Sequence, residues 1–157
     1  MTERPDAGTG EGGKPAHCES RDFARSFDSL EAIYAFVETM LRAGGVDAAA
    51  TYAIVMTIEE LFTNMVKYNS GGTGPVSLQL ECSTDAVTCR LVDPDSEHFD
   101  ITQAPDVDIH RPVEQRRPGG LGIHLVRRMV DSISYDYTER RSTVSFVKRL
   151  SGPLRGI

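Results

Sequence analysis

Apolar side chains recur along this chain with two different periods, and the changes of period mark its elements. Leu30, Ile33, Tyr34, Val37 and Leu41 fall at helical spacing, with Asp28-Ser29 suited to cap the start and Gly44-Gly45 to end it. A short strand over 18–27 precedes them. Asp47 caps a second predicted helix running to residue 68, with Ile54, Val55, Ile58, Leu61, Phe62 and Val66 on its buried side, and Asn69-Ser70-Gly71-Gly72 stops it. Residues 76–82 and 87–92 alternate and are separated by Ser83, Thr84, Asp85 and Ala86, the pattern of an antiparallel hairpin. A short helix over 121–130 and strands over 133–137 and 143–150 complete the chain. The order predicts an α+β two-layer sandwich, a mixed and mainly antiparallel sheet with helices on one face.

Two stretches stand outside this pattern. Residues 1–16 hold four glycines and two prolines and almost no bulky apolar side chain, so they read as a tail ahead of one domain over 17–157. Residues 93–120 form a run of 28 with four prolines and little periodicity, the character of a lid over a site. In a chain of 157 residues this leaves a single core. The net charge of −6 provides no global positive field for nucleic acid or anionic lipid. With no apolar run long enough to span a bilayer and no signal-like N-terminus, the expectation is a cytoplasmic protein. The cysteines Cys18, Cys82 and Cys89 lack C-x-x-C spacing and read as reduced packing residues.

Three constellations carry candidate chemistry. On the second helix, Glu60, Asn64 and Lys67 are spaced to share one face, next to Ala53 and Thr57, with Glu59 beside them. A carboxylate beside an amide oxygen suits a proton acceptor and a Mg²⁺ ligand; the alternative is a solvated face with an ordinary ion pair. In Arg116-Arg117-Pro118-Gly119-Gly120-Leu121-Gly122-Ile123, glycines opening a helix offer backbone N–H groups to a phosphate. That spacing fits neither the Walker loop nor the dinucleotide fingerprint. Asp93, closing an apolar strand, is placed either to accept a hydrogen bond from an adenine amine or merely to begin a turn with Pro94. The histidines at 17, 98, 110 and 124 share no metal-binding spacing, and no serine or cysteine sits as a nucleophile.

The succession of a Glu-x-x-x-Asn helix, a strand ending in Asp, a lid and Gly-Gly-Leu-Gly opening a helix resembles the GHKL (Bergerat-fold) ATP-binding domain over about 23–150. The strings EELFTNMVKY, FDITQAP and RRPGGLGIHLVRRMVDSISY look more narrowly like the anti-sigma factor serine/threonine kinases of bacteria. The resemblance implies a small kinase that binds Mg·ATP, phosphorylates a STAS-domain anti-sigma factor antagonist, and in another state holds a sigma factor, with a homodimer as in relatives. It implies Glu60 as general base, Asn64 as Mg²⁺ ligand, Lys67 near the nucleotide and Asp93 as acceptor of the adenine amine. Gly119, Gly120, Leu121, Gly122 and Ile123 would form the phosphate loop, with Arg116 and Arg117 as lid cations.

The chain departs from that pattern where Asp93-Pro94-Asp95 replaces Asp-x-Gly, adding a Cβ and a negative charge, and where Phe99 falls one residue late. Tyr68 replaces a common histidine, and Arg141-Ser142-Thr143 an Asn-containing turn. The rival expectation is a catalytically degenerate GHKL domain that only binds proteins. A histidine kinase or a hydrolase would require a further domain for which this length leaves no room.

Overall fold

The computed structural model describes residues 17–69, 71–98, 100, 102 and 122–151. The tail assigned to 1–16 and nearly all of the lid after residue 98 fall outside that set.

Strand β1 (His17–Phe23) ends four residues earlier than its pattern suggested. Beyond Phe23, the Ser26 N–H donates to the Ala24 carbonyl at 2.8 Å and turns the chain away from the sheet. Ser26 then takes the capping role expected of Asp28-Ser29: its Oγ accepts from the Asp28 N–H at 3.2 Å and opens a single 3₁₀ turn over Phe27–Ser29. Helix α1 (Leu30–Ala43) follows directly. Ser29, at its N-cap position, makes no capping bond, its hydroxyl donating backward to the Ala24 carbonyl at 2.7 Å.

Helix α2 (Ala48–Tyr68) starts as the sequence predicts, with Asp47 accepting from the Ala50 N–H at 2.8 Å. Strands β2 (Val76–Cys82) and β3 (Ala86–Asp93) form the expected hairpin, whose turn is held by Ser83 Oγ accepting from Asp85 and Ala86 N–H groups. Helix α3 is shorter than the pattern suggested (Ile123–Met129), and β4 (Ser132–Thr138) and β5 (Arg141–Arg149) close the fold. The β4–β5 turn places Glu139 (φ 48°) and Arg140 (φ 65°) in the left-handed region, the pairing a two-residue hairpin requires.

The strands lie in the order β1-β2-β3-β5-β4, and all four pairings are antiparallel. Register explains the core. Glu19, Leu80, Cys89, Phe146 and Ile133 are successive partners across the sheet, and Leu80, Cys89 and Phe146 within that row are wholly buried. The inward row of Leu78, Leu91 and Val144 is buried likewise. Against this face α1 presents Ile33, Val37 and Leu41, and α2 presents Ile54, Ile58, Leu61 and Phe62. The expected α+β two-layer architecture is thus present, with α2 packed against α1, α3, β3 and β5. That position sets α2 side chains against the other helices and the sheet. Cys82 and Cys89 are buried free thiols, as expected of packing residues, whereas Cys18 is exposed on the edge strand.

Asp47→Ala removes the side-chain acceptor of the Ala50 N–H while touching nothing in the site, and we expect a loss of about 1 kcal/mol. Urea denaturation with an unchanged m value checks this.

Candidate functional site

The polar face of α2 is not solvated. Thr57 is fully buried and Glu60 and Asn64 are each 3% exposed, so the solvated-face reading of this spacing is excluded. The entry to α3 lies against this face, where the Gly122 N–H acts on Glu60, and α2 also packs on β3 and β5. Asn64 Nδ2 donates to Glu60 Oε1 at 3.5 Å, the outer limit of a hydrogen bond. Glu60 Oε2 has no hydrogen-bond partner although it is buried. Burial pushes the Glu60 carboxyl up from its ordinary value; the Gly122 N–H dipole, Lys67 and the Asn64 amide pull it back less strongly. Lys67, half-buried two turns on from Glu60, acts on it by its charge. Glu59 points elsewhere, accepting from the Tyr34 hydroxyl at 2.5 Å and joining α2 to α1.

A buried carboxylate with an unpaired oxygen is costly to a fold, and such groups concentrate where chemistry is done. The donor set of Glu60 and Asn64, one carboxylate and one amide oxygen, fits Mg²⁺, which takes oxygen ligands and keeps several waters. Among the described residues no group of three or more His, Cys, Asp or Glu side chains is arranged to hold a metal ion.

The second predicted group, Asp93, closes β3 as expected and is 1% exposed, but it is far from isolated. Arg25, in the turn after β1, grips it through both guanidinium nitrogens, Nη1 to Oδ2 at 2.5 Å and Nη2 to Oδ1 at 2.6 Å. Asn69, at the C-terminal end of α2, donates Nδ2 to Oδ2 at 2.6 Å, and the Asp95 N–H donates to Oδ1 at 3.1 Å. A carboxylate has about four lone-pair positions, and four donors fill them. The cavity bounded by Met65, Tyr68, Asn69, Asp93, Tyr135 and Val144 encloses about 10 Å³, room for about one water. In this state the expected adenine contact at Asp93 is taken by the protein's own side chains. The buried Tyr135 hydroxyl in the same wall has no hydrogen-bond partner.

Asp95, which replaces the resembled family's glycine, turns its charge away from this cavity. Its Oδ2 accepts from the N–H and hydroxyl of Thr73 at 2.9 and 2.8 Å, and its Oδ1 from Nε and Nη2 of Arg140 at 3.0 and 2.8 Å. The Thr73 N–H first, then Arg140 and the Thr73 hydroxyl, hold its carboxyl well below the usual range. Asp95 thus ties the α2–β2 loop to the β4–β5 turn. Gly72 completes the packing: a Cβ there would lie 2.5 Å from the Asp95 carbonyl oxygen and 2.9 Å from Arg25 Cζ.

Of the predicted phosphate loop, Gly122 (φ 86°) and Ile123 are described, at the entry to α3 and beside Glu60. Arg116, Arg117, Gly119, Gly120 and Leu121 lie outside the described residues. The sequence reading missed Arg25 and took Asn69 only as a helix stop. Nothing in local spacing joins Arg25 to a residue 68 positions away. For Asn69 a signal was present, since a polar amide ending the helix that bears the site is placed to reach a neighbouring strand end.

A five-stranded antiparallel sheet covered on one face by helices, the longest bearing a buried carboxylate and amide, defines an α+β ATPase domain of the GHKL class. The chain belongs to the histidine kinase-like ATPase domain family, whose sequence model matches residues 23–148. Among solved structures it is similar to the RsbU and RsbW domains of Rv1364c from Mycobacterium tuberculosis, with a TM-score of 0.63 at 14% identity. That match covers 90% of this chain and 34% of the other, so the chain spans about a third of that structure's length. A comparison with curated proteins gives no match. Among the described residues no helix is long and apolar enough to cross a membrane.

Because the native Glu60 carboxyl binds its proton more tightly than the unfolded one, the stability it confers is present below its unfolded value of 4.5 and is lost as pH rises through the native value. Glu60→Gln removes that loss. The variant's advantage over the wild type should grow from pH 4.5 to pH 8, read as the difference in urea midpoints across that range.

Proposed function

We propose that this protein is an ATP-dependent serine/threonine kinase of the anti-sigma factor type, acting on a STAS-domain antagonist and, in another state, holding a sigma factor. The observation that carries the reading is Glu60: a buried carboxylate on a rigid helix, with one oxygen unpaired and its proton affinity raised. A base in such a site works best when its proton affinity approaches the working pH, and burial moves Glu60 in that direction. Glu60 accepts the proton of the acceptor hydroxyl as that oxygen bonds to the γ-phosphorus and ADP departs. Asn64 holds Glu60 Oε1 through its amide nitrogen and has its oxygen left for Mg²⁺, which neutralises phosphate charge when bound. Lys67 adds positive charge on the same face. The family supports ATP as the phosphoryl donor, and the sequence strings and the likeness in fold to an RsbW-containing chain support the regulatory role.

One observation favours a second reading, a domain that binds its protein partners without catalysis. The saturated Asp93 leaves no acceptor for an adenine amine in this state.

The two separate cleanly. For the kinase, millimolar Mg·ATP raises the melting temperature, since a ligand at 100 times its Kd stabilises by about 2.7 kcal/mol. Glu60→Ala should keep that shift and lose phosphoryl transfer to STAS-domain proteins by about 100-fold or more. Asn64→Ala should remove the Mg²⁺-dependent part of the shift. Undiminished transfer by Glu60→Ala rejects the base; a wild-type melting temperature indifferent to Mg·ATP favours the binding-only domain.

A further inference from the structure

We propose that Arg25 is a built-in competitor for the nucleotide base: its guanidinium occupies Asp93 until a purine bearing an exocyclic amine displaces it, so that Arg25 sets both the affinity and the base preference of the site. The inference rests on the ATP-binding reading above and deepens it.

The geometry of the ion pair is that of a strong contact. Both terminal nitrogens of Arg25 meet both oxygens of Asp93, and the two side chains are only 8% and 1% exposed. A bidentate fork of this kind is also specific, since lysine cannot reproduce it. Yet the pair is not fully satisfied, because Arg25 Nε is buried without a partner. A buried donor left unpaired weakens the closed state.

The neighbourhood is equipped for a different occupant. Withdrawal of Arg25 returns lone pairs on Asp93 to an incoming amine. The unpartnered Tyr135 hydroxyl borders the same cavity, and Met65 and Val144 furnish apolar walls. Asn69 and the Asp95 N–H stay on Asp93 through contacts independent of Arg25 and keep the carboxylate oriented. Arg25 itself lies between β1 and the 3₁₀ turn, outside any regular element, so its departure breaks no sheet pairing. At Gly72 a Cβ would stand 2.9 Å from Arg25 Cζ, so this glycine is what admits the guanidinium to Asp93.

The energetic consequence is a competition. If the closed form holds about nine-tenths of the population, apparent nucleotide affinity falls about tenfold below its intrinsic value. Adenine's amine donates to the carboxylate and must displace Arg25 to reach it; hypoxanthine presents a carbonyl oxygen at that position, which Asp93 repels, so its binding does not depend on vacating the carboxylate.

The test measures binding of Mg·ATP and Mg·ITP by calorimetry to the full chain and to Arg25→Met and Arg25→Lys. Removing the cation from a buried carboxylate can unfold the chain. Arg25→Lys, which keeps the charge and forfeits the fork, is therefore included as the gentler variant. Both variants should bind Mg·ATP tighter, by about tenfold for Arg25→Met and less for Arg25→Lys, with a smaller gain for Mg·ITP. In the wild type, the Arg25 Nε–H NMR signal, assigned by its absence from Arg25→Lys, should shift on saturation with Mg·ATP. Wild-type binding that neither variant improves, with the Arg25 signal unmoved, overturns the competitor and leaves the ATP-binding reading standing. Equal gains for both nucleotides overturn the contest for Asp93. Absence of binding by all three proteins at millimolar Mg·ATP overturns the ATP-binding reading and the competitor with it.

Discussion

A carboxylate taken out of water must be paired, protonated or held ready for a reaction, and this constraint shapes the whole site. Asp93 and Glu60 meet it in opposite ways. Asp93 is surrounded by donors from three separate parts of the chain: the turn after β1, the end of α2 and the segment following β3. Glu60 has one weak amide contact and an oxygen with no partner. The first arrangement fastens the sheet to the end of the long helix. The second leaves a carboxyl of raised proton affinity, because burial without full pairing favours its neutral form.

One helix, α2, joins the two carboxylates. Glu60 and Asn64 lie in its fourth and fifth turns and Asn69 follows its last residue, so one rigid helix carries the candidate base and a ligand of Asp93. Its apolar side is fixed by α1 and the sheet, which leaves the helix little freedom to rotate or slide. Positioning of this kind is what phosphoryl transfer depends on, since the protein has little covalent work to do.

Asp95 gains a role that differs from the one its sequence position suggests. Read against the resembled family, it places a negative charge where a polyanion would lie. In the folded chain it clamps Thr73 to Arg140, and the Ser96 N–H binds the Arg140 carbonyl at 2.7 Å beside it. The left-handed residues Glu139 and Arg140 form the turn that brings Arg140 within reach. Exposed ion pairs add little to stability by themselves. The value of this one is geometric, because it joins two loops bordering the cavity.

Periodicity determined the elements. The α2 start at Asp47, the β2–β3 hairpin, the termination of β3 at Asp93 and the helices on one sheet face all follow from local spacing, because caps, turns and apolar alternation are interactions among near neighbours. The same logic put Glu60 and Asn64 on one helical face. Whether that face meets water or protein was beyond it, since burial depends on α3, β3 and β5, which reach α2 only when the chain folds. The partnership of Arg25 with Asp93 belongs to the same class. Ion pairs between distant segments leave no periodic trace, and only the closing of the sheet, which lays β1 beside β2 and β2 beside β3, carries that guanidinium to that carboxylate.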